Sequence, residues 1–110
     1  MKVFKFGGAS VKHAGAVRNV TSILRQHQTG SLWVVVSAMG KTTDALERVV
    51  SAFQKDEPFA PEIKNIHTYH EQLIRELFKD PEPALQQLEE AVDHIRQNLI
   101  KGKDEDELYD

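Results

Sequence analysis

The sequence contains no cysteine. Disulfides and thiolate-held metal centres are therefore excluded, while the compartment is left open by this feature. Long apolar runs are missing too. The N-terminal apolar stretch is short and broken by lysine, which does not fit a signal peptide, and nothing approaches the ~20 apolar residues of a membrane span. There is no surplus of positive charge: 14 basic residues stand against 17 acidic ones, a formal charge of -3. A general basic field for nucleic acid or a membrane surface is thus absent, and neither is expected as a partner. The expected setting is soluble and cytoplasmic. What is present is ordinary globular material, 40% hydrophobic and 28% charged over 110 residues, enough for about one domain.

The first ten residues organise the rest. Val3, Phe4 and Phe6 read as a short buried strand, and Gly7-Gly8 stop it. Helical spacing follows from Ala9 to Leu24, with a weak first turn at His13-Ala-Gly15 that defers the regular helix to about Ala14. Strand, glycine turn and helix in that order make an anion site, because glycines admit a ligand close to the backbone and a helix N-terminus presents free N–H groups. Lys5 stands two residues before the turn, within reach of the same anion, and phosphate is the natural candidate.

Further along, Val11, Val17, Val20, Ile23, Leu24 and His27 share one helical face, and Gln28-Thr-Gly30-Ser closes the helix. Leu32-Trp-Val-Val-Val36 is a continuous β-branched and aromatic run of the kind buried on both faces of a parallel sheet. The unit is therefore βαβ with a right-handed crossover. The second strand runs into Ser37-Ala-Met-Gly40-Lys-Thr-Thr-Asp44 and another helix, with Thr43 or Asp44 as N-cap. Two small-residue turns thus lie at the carboxyl ends of adjacent parallel strands, where open α/β sheets bind ligands. Beyond a polar joint from Gln54 to Pro61, Ile63, Ile66, His70, Leu73, Ile74, Leu77 and Phe78 mark an amphipathic helix stopped at Asp80-Pro81. Pro83 opens another, carrying Leu85, Leu88, Val92, Ile95 and Leu99, with Gly102 as its C′ residue. These two should form an antiparallel hairpin whose apolar stripes are core.

Three other patterns carry less. Gly40-Lys41-Thr42 suggests a P-loop, but the earlier glycine that motif requires falls on Val35, inside a strand. His67 and His70 have a metal-compatible spacing without a third ligand, and read as surface and boundary histidines. Glu89-Glu90 and the acidic tail from Lys103 to Asp110 read as solvated faces.

Taken together, the two turns resemble a known family. Lys5-Phe-Gly-Gly-Ala-Ser-Val11 is similar to the opening Lys-Phe-Gly-Gly-Thr-Ser-Val motif of the aspartate kinases. Val34-Val-Val-Ser-Ala-Met-Gly-Lys-Thr-Thr-Asp44 is similar to their second motif, and the separation and the helical hairpin also fit. The resemblance implies the N-terminal part of an amino acid kinase fold, an α/β/α sandwich on a mainly parallel sheet. Two strands and about four helices of it fall within residues 1–110. It further implies transfer of the γ-phosphoryl group of MgATP to the side-chain carboxylate of L-aspartate, the entry step to lysine, threonine and methionine, in an enzyme that is a homo-oligomer. By position, Lys5 would neutralise the transferring phosphoryl group. Phe6, Gly7, Gly8 and Ser10 would hold the ATP phosphates, and Thr43, with Ser37 and Thr42, the aspartate. Magnesium would arrive on the nucleotide, without protein ligands in this chain.

Two residues depart from the family pattern. Ala9 replaces a threonine, and Asp44 stands where asparagine is common, so its charge lies near an anionic substrate unless it caps its helix. The family's later glutamate, its Arg-Gly-Gly-Ser-Asp segment, its nucleotide lobe and its regulatory ACT domains have no counterpart up to Asp110. The expectation is an N-terminal piece of an aspartate kinase that is inactive by itself. The rival expectations are a noncatalytic phosphate-binding or assembly module, or a kinase of the same fold for another small acid.

Overall fold

The computed structural model describes residues 1–27 and 30–109, and the side chains up to Gly102. In order it contains β1 (Lys2–Phe6), a one-turn 3-10 helix (Gly8–Val11), α1 (Ala14–Gln26), β2 (Leu32–Val36), α2 (Thr42–Gln54), α3 (Ala60–Leu77) and α4 (Glu82–Tyr109). The chain divides into two compact units, Met1–Glu47 and Arg48–Asp110.

In the first unit β1 and β2 pair in parallel, from Lys2 opposite Leu32 to Phe6 opposite Val36. Alternation along β1 sends Phe4 and Phe6 to one face, their rings 6.2 Å apart. Phe6, Val11 and Val20 form a buried cluster there, with Phe4, Val17, Ile23, Leu24 and Met39 packed against it. Burying a ring such as that of Phe6 contributes roughly 2–3 kcal/mol, and it ties the end of β1 to the following turn.

The other face differs from expectation. There Val3, Trp33 and Val35 are 64%, 62% and 50% exposed, and on the ring face Val36, opposite Phe6, is 53% exposed as well. Neither strand is thus buried as its composition suggests. The sheet has two strands, so β2 has a single neighbour, and α1 supplies apolar partners to the side of the Phe4 and Phe6 rings only.

The regular helix α1 begins at Ala14, as the weak turn at His13-Ala-Gly15 suggests, and the stretch between it and the glycines forms the 3-10 turn. His13 then caps α1, its Nδ1 accepting from the Ala16 N–H at 3.0 Å. Unpaired imidazole nitrogen can serve the N-cap function usually met by a hydroxyl or carboxylate. The stop expected at Gln28-Thr29 lies outside the described residues. The described end of α1 is closed by the His27 N–H, which donates to the Leu24 carbonyl.

The second unit holds the rest of α2 with α3 and α4. Val49, Ile63, Ile66, Leu73 and Val92 are its buried residues, so the apolar stripes are core. A short joint between α3 and α4 turns them into an antiparallel hairpin, crossed by a contact between His67 Nε2 and Glu89 Oε1. Prolines fall where helices tolerate them. Pro61 and Pro83 stand at the second residues of α3 and α4, where no intrahelical N–H bond is lost. Gly102 does not end α4, contrary to expectation. One glycine costs about 1 kcal/mol against alanine, and the lysines, glutamates and leucine around it are good helix formers. A Cβ there would lie 3.5 Å from Phe53 Cζ, in ordinary contact.

Candidate functional site

The two turns predicted to share a site meet in space. Ser37 N–H donates to the Phe6 carbonyl at 2.9 Å, extending the β1–β2 ladder to the point where both strands release the chain. Immediately beyond, Gly8 packs so closely on the second turn that a Cβ would lie 2.9 Å from the Gly40 carbonyl oxygen and 3.4 Å from that of Ala38. Gly40 itself has φ +54°, a left-handed conformation that glycine adopts without steric cost. Gly7 is the opposite case. Its backbone is extended at φ -77°, and a Cβ on it would meet nothing within 4 Å. The glycine pair therefore divides, with one member facing open space and the other pressed against its neighbour.

The remaining candidate residues surround this contact. Lys5 lies opposite Val35 in the register, on the face away from the Phe4 and Phe6 rings, and is exposed. Its ammonium has no hydrogen-bond or ion-pair partner among the described residues. Phe6 turns its ring into the core, so its side chain holds the turn in place and leaves only backbone to face a ligand. Ser10 is exposed, and its N–H closes the first turn onto the Gly7 carbonyl at 3.0 Å. Ser37 is exposed at the exit of β2, and Thr43 is exposed in the first turn of α2.

Thr42 is engaged. Its hydroxyl donates to the Met39 carbonyl at 2.6 Å and its N–H reaches the same oxygen at 3.0 Å, which fixes the shape of the second turn. This overturns the expected cap at Thr43 or Asp44. The helix begins earlier, at Thr42, with the Lys41 carbonyl accepting from the Ala45 N–H at 3.1 Å. Asp44 falls in the first turn and is exposed, where the positive end of the helix dipole favours a carboxylate.

The arrangement can receive an anion. It offers exposed lysines at Lys5 and, on the second turn, Lys41, open space at Gly7, and peptide groups of two turns at the ends of two parallel strands. The histidine pair does not add to it. His67 lies between Glu71 and Glu89, and His70 donates its Nδ1–H to the Ile66 carbonyl at 2.8 Å. Among the described residues no three His, Asp or Glu side chains are grouped to hold a metal. Sequence reasoning missed the His13 cap, the 3-10 turn and the division between Gly7 and Gly8. Only the last had any signal, a doubled glycine, which does not reveal which member is crowded.

Comparison with known proteins bears on this geometry. The model of the amino acid kinase family matches residues 1–104. Aspartokinase 1, chloroplastic, from Arabidopsis thaliana is 35% identical over 104 residues, covering 91% of this chain and 17% of that protein. The crystal structure of Clostridium acetobutylicum aspartate kinase matches with a TM-score of 0.65 at 22% identity, over 86% of this chain and 24% of that one. The structural likeness extends to two parallel strands and the surrounding helices. The chain spans under a quarter of the length of either protein.

Proposed function

The chain belongs to the amino acid kinase family, and from that membership we propose that it forms part of an aspartate kinase. The reaction transfers the γ-phosphoryl group of MgATP to the side-chain carboxylate of L-aspartate. A carboxylate oxygen bonds to the γ-phosphorus, the bond to the β,γ-bridging oxygen breaks, and 4-phospho-L-aspartate and ADP leave. The carboxylate nucleophile carries no proton, so no general base is needed. Catalysis then consists of placing two anions in line and neutralising their charge.

In this reading Lys5 faces the transferring phosphoryl group. The backbone of Phe6, Gly7 and Gly8 and the Ser10 hydroxyl line the side of the ATP phosphates. Ser37 and Thr43 line the side of the aspartate, and Thr42 shapes that turn through its bond to Met39. The supporting observation is the contact of the two turns, through which a phosphate-binding and an acid-binding segment become one site. Magnesium enters as part of the nucleotide substrate. Homo-oligomerisation and a cytoplasmic setting belong to the same proposal; no described helix is long and apolar enough to cross a membrane.

The test is hydroxylamine trapping of acyl phosphate by the full gene product, supplied with MgATP and L-aspartate. Aspartate-dependent turnover is expected, and Lys5→Ala is expected to lower kcat/KM by about 10²–10³-fold or more, the usual loss when one electrostatic stabiliser is removed. Because Lys5 is exposed, the substitution should leave the thermal unfolding midpoint essentially unchanged. Turnover with glutamate or another small acid and none with aspartate would redirect the assignment within the family.

A further inference from the structure

We propose that Gly8 is a positioning residue that sets the spacing between the phosphate turn and the acid turn, in addition to any donor role toward phosphate. Neither glycine of the pair has positive φ, so backbone freedom does not explain Gly8. Space does. Its missing Cβ would stand 2.9 Å from one backbone carbonyl oxygen and 3.4 Å from another, and a carbonyl cannot rotate aside as a side-chain tip would. Two features hold the opposing turn in place: the left-handed Gly40 and the doubled Thr42–Met39 bonds. A methyl group at position 8 would therefore push one turn from the other instead of being absorbed locally. At Gly7 a methyl group would enter open space.

In the reading proposed above, the turns carry the two reacting anions, so their spacing fixes the distance between nucleophile and phosphoryl group. An added methyl group would change that distance by a fraction of an ångström, and misplacement by ~1 Å costs on the order of 10²-fold in rate. Gly8 thus couples the acceptor half of the site to the nucleotide half.

The experiment compares Gly8→Ala with Gly7→Ala in the isotope-labelled full gene product. Gly8→Ala is expected to move the backbone amide signals of Gly40, Lys41 and Thr42, whereas Gly7→Ala leaves them in place. In steady-state assays Gly8→Ala should lower kcat by about tenfold or more and raise the KM for the acceptor acid alongside that for ATP. A purely phosphate-facing glycine would raise the ATP KM alone. Unmoved second-turn signals, or an effect confined to ATP, would overturn the proposal. If the unsubstituted protein shows no aspartate-dependent turnover, the kinase reading fails, and the amide comparison decides the role of Gly8 by itself. Should Gly8→Ala not fold, Thr42→Val loosens the opposite turn and is expected to shift the Gly7 and Gly8 amides; unchanged signals there count against the coupling.

Discussion

Asp56 shows how a single residue can work against its element. It closes α2 with φ +55°, its N–H reaching the Phe53 carbonyl at 3.3 Å while the Glu57 N–H reaches that of Ala52 at 2.8 Å. These paired bonds satisfy the last carbonyls of the helix in the manner of a Schellman closure, which places one residue in the left-handed region. Glycine normally fills that position; an aspartate there incurs a Cβ clash of about 1 kcal/mol. Asp56→Gly is therefore expected to raise the unfolding free energy by about 0.5–1 kcal/mol, read as a higher urea midpoint with an unchanged m-value. Gly40 already has the suitable residue for its φ of +54°. The same argument makes Gly40→Ala destabilising, which ties the second turn to glycine for a reason independent of any ligand.

At the level of elements, the hairpin of α3 and α4 carries Tyr69, a titrating group that burial displaces. Desolvation raises the Tyr69 phenol above its ordinary value, since the folded chain disfavours the phenolate. An unfolded tyrosine ionises near pH ~10. The stabilisation is thus intact below that pH and lost as pH climbs through the higher folded value. Denaturation profiles across this range should show an alkaline decline that is shallower in Tyr69→Phe. The elements themselves were readable to differing degrees. Both strands stand where Val3 to Phe6 and Leu32 to Val36 suggest, and the turns after them converge, because β-branched runs and glycine stops are local signals. The α3–α4 stripes were legible for the same reason. The His13 cap was not, since an imidazole acceptor has no compositional signature. Nor was the continuation of α4 through Gly102, where the surrounding helix formers outweigh one glycine. Burial of the strands failed for another reason. Apolar composition tells what a strand can bury, while what covers it depends on residues distant in sequence.

For the molecule as a whole, the magnitude of the electrostatics decides what the 110 residues can do alone. Acceleration by 10⁶-fold, the low end for enzymes, requires about 8 kcal/mol of transition-state stabilisation. The candidate site supplies exposed lysines, Lys5 on a sheet face where Val3, Trp33 and Val35 lie open to solvent and Lys41 on the second turn. A unit charge about 4 Å from the phosphoryl group contributes ~1 kcal/mol in water and ~4 kcal/mol in a partly screened protein environment. Even the upper figure gives about 10³-fold per charge, and exposure places both lysines nearer the lower one. Alignment of two substrates could add several kcal/mol, but it needs both to be held at once, and the strand face beside the two turns lies open to water. The 110-residue polypeptide is therefore expected to bind anions weakly and to form no acyl phosphate. Incubated with MgATP, L-aspartate and hydroxylamine, it should yield no hydroxamate above the protein-free control. Hydroxamate formation that disappears in Lys5→Ala would show that the two turns suffice for catalysis, and would require a second source of stabilisation among these same residues.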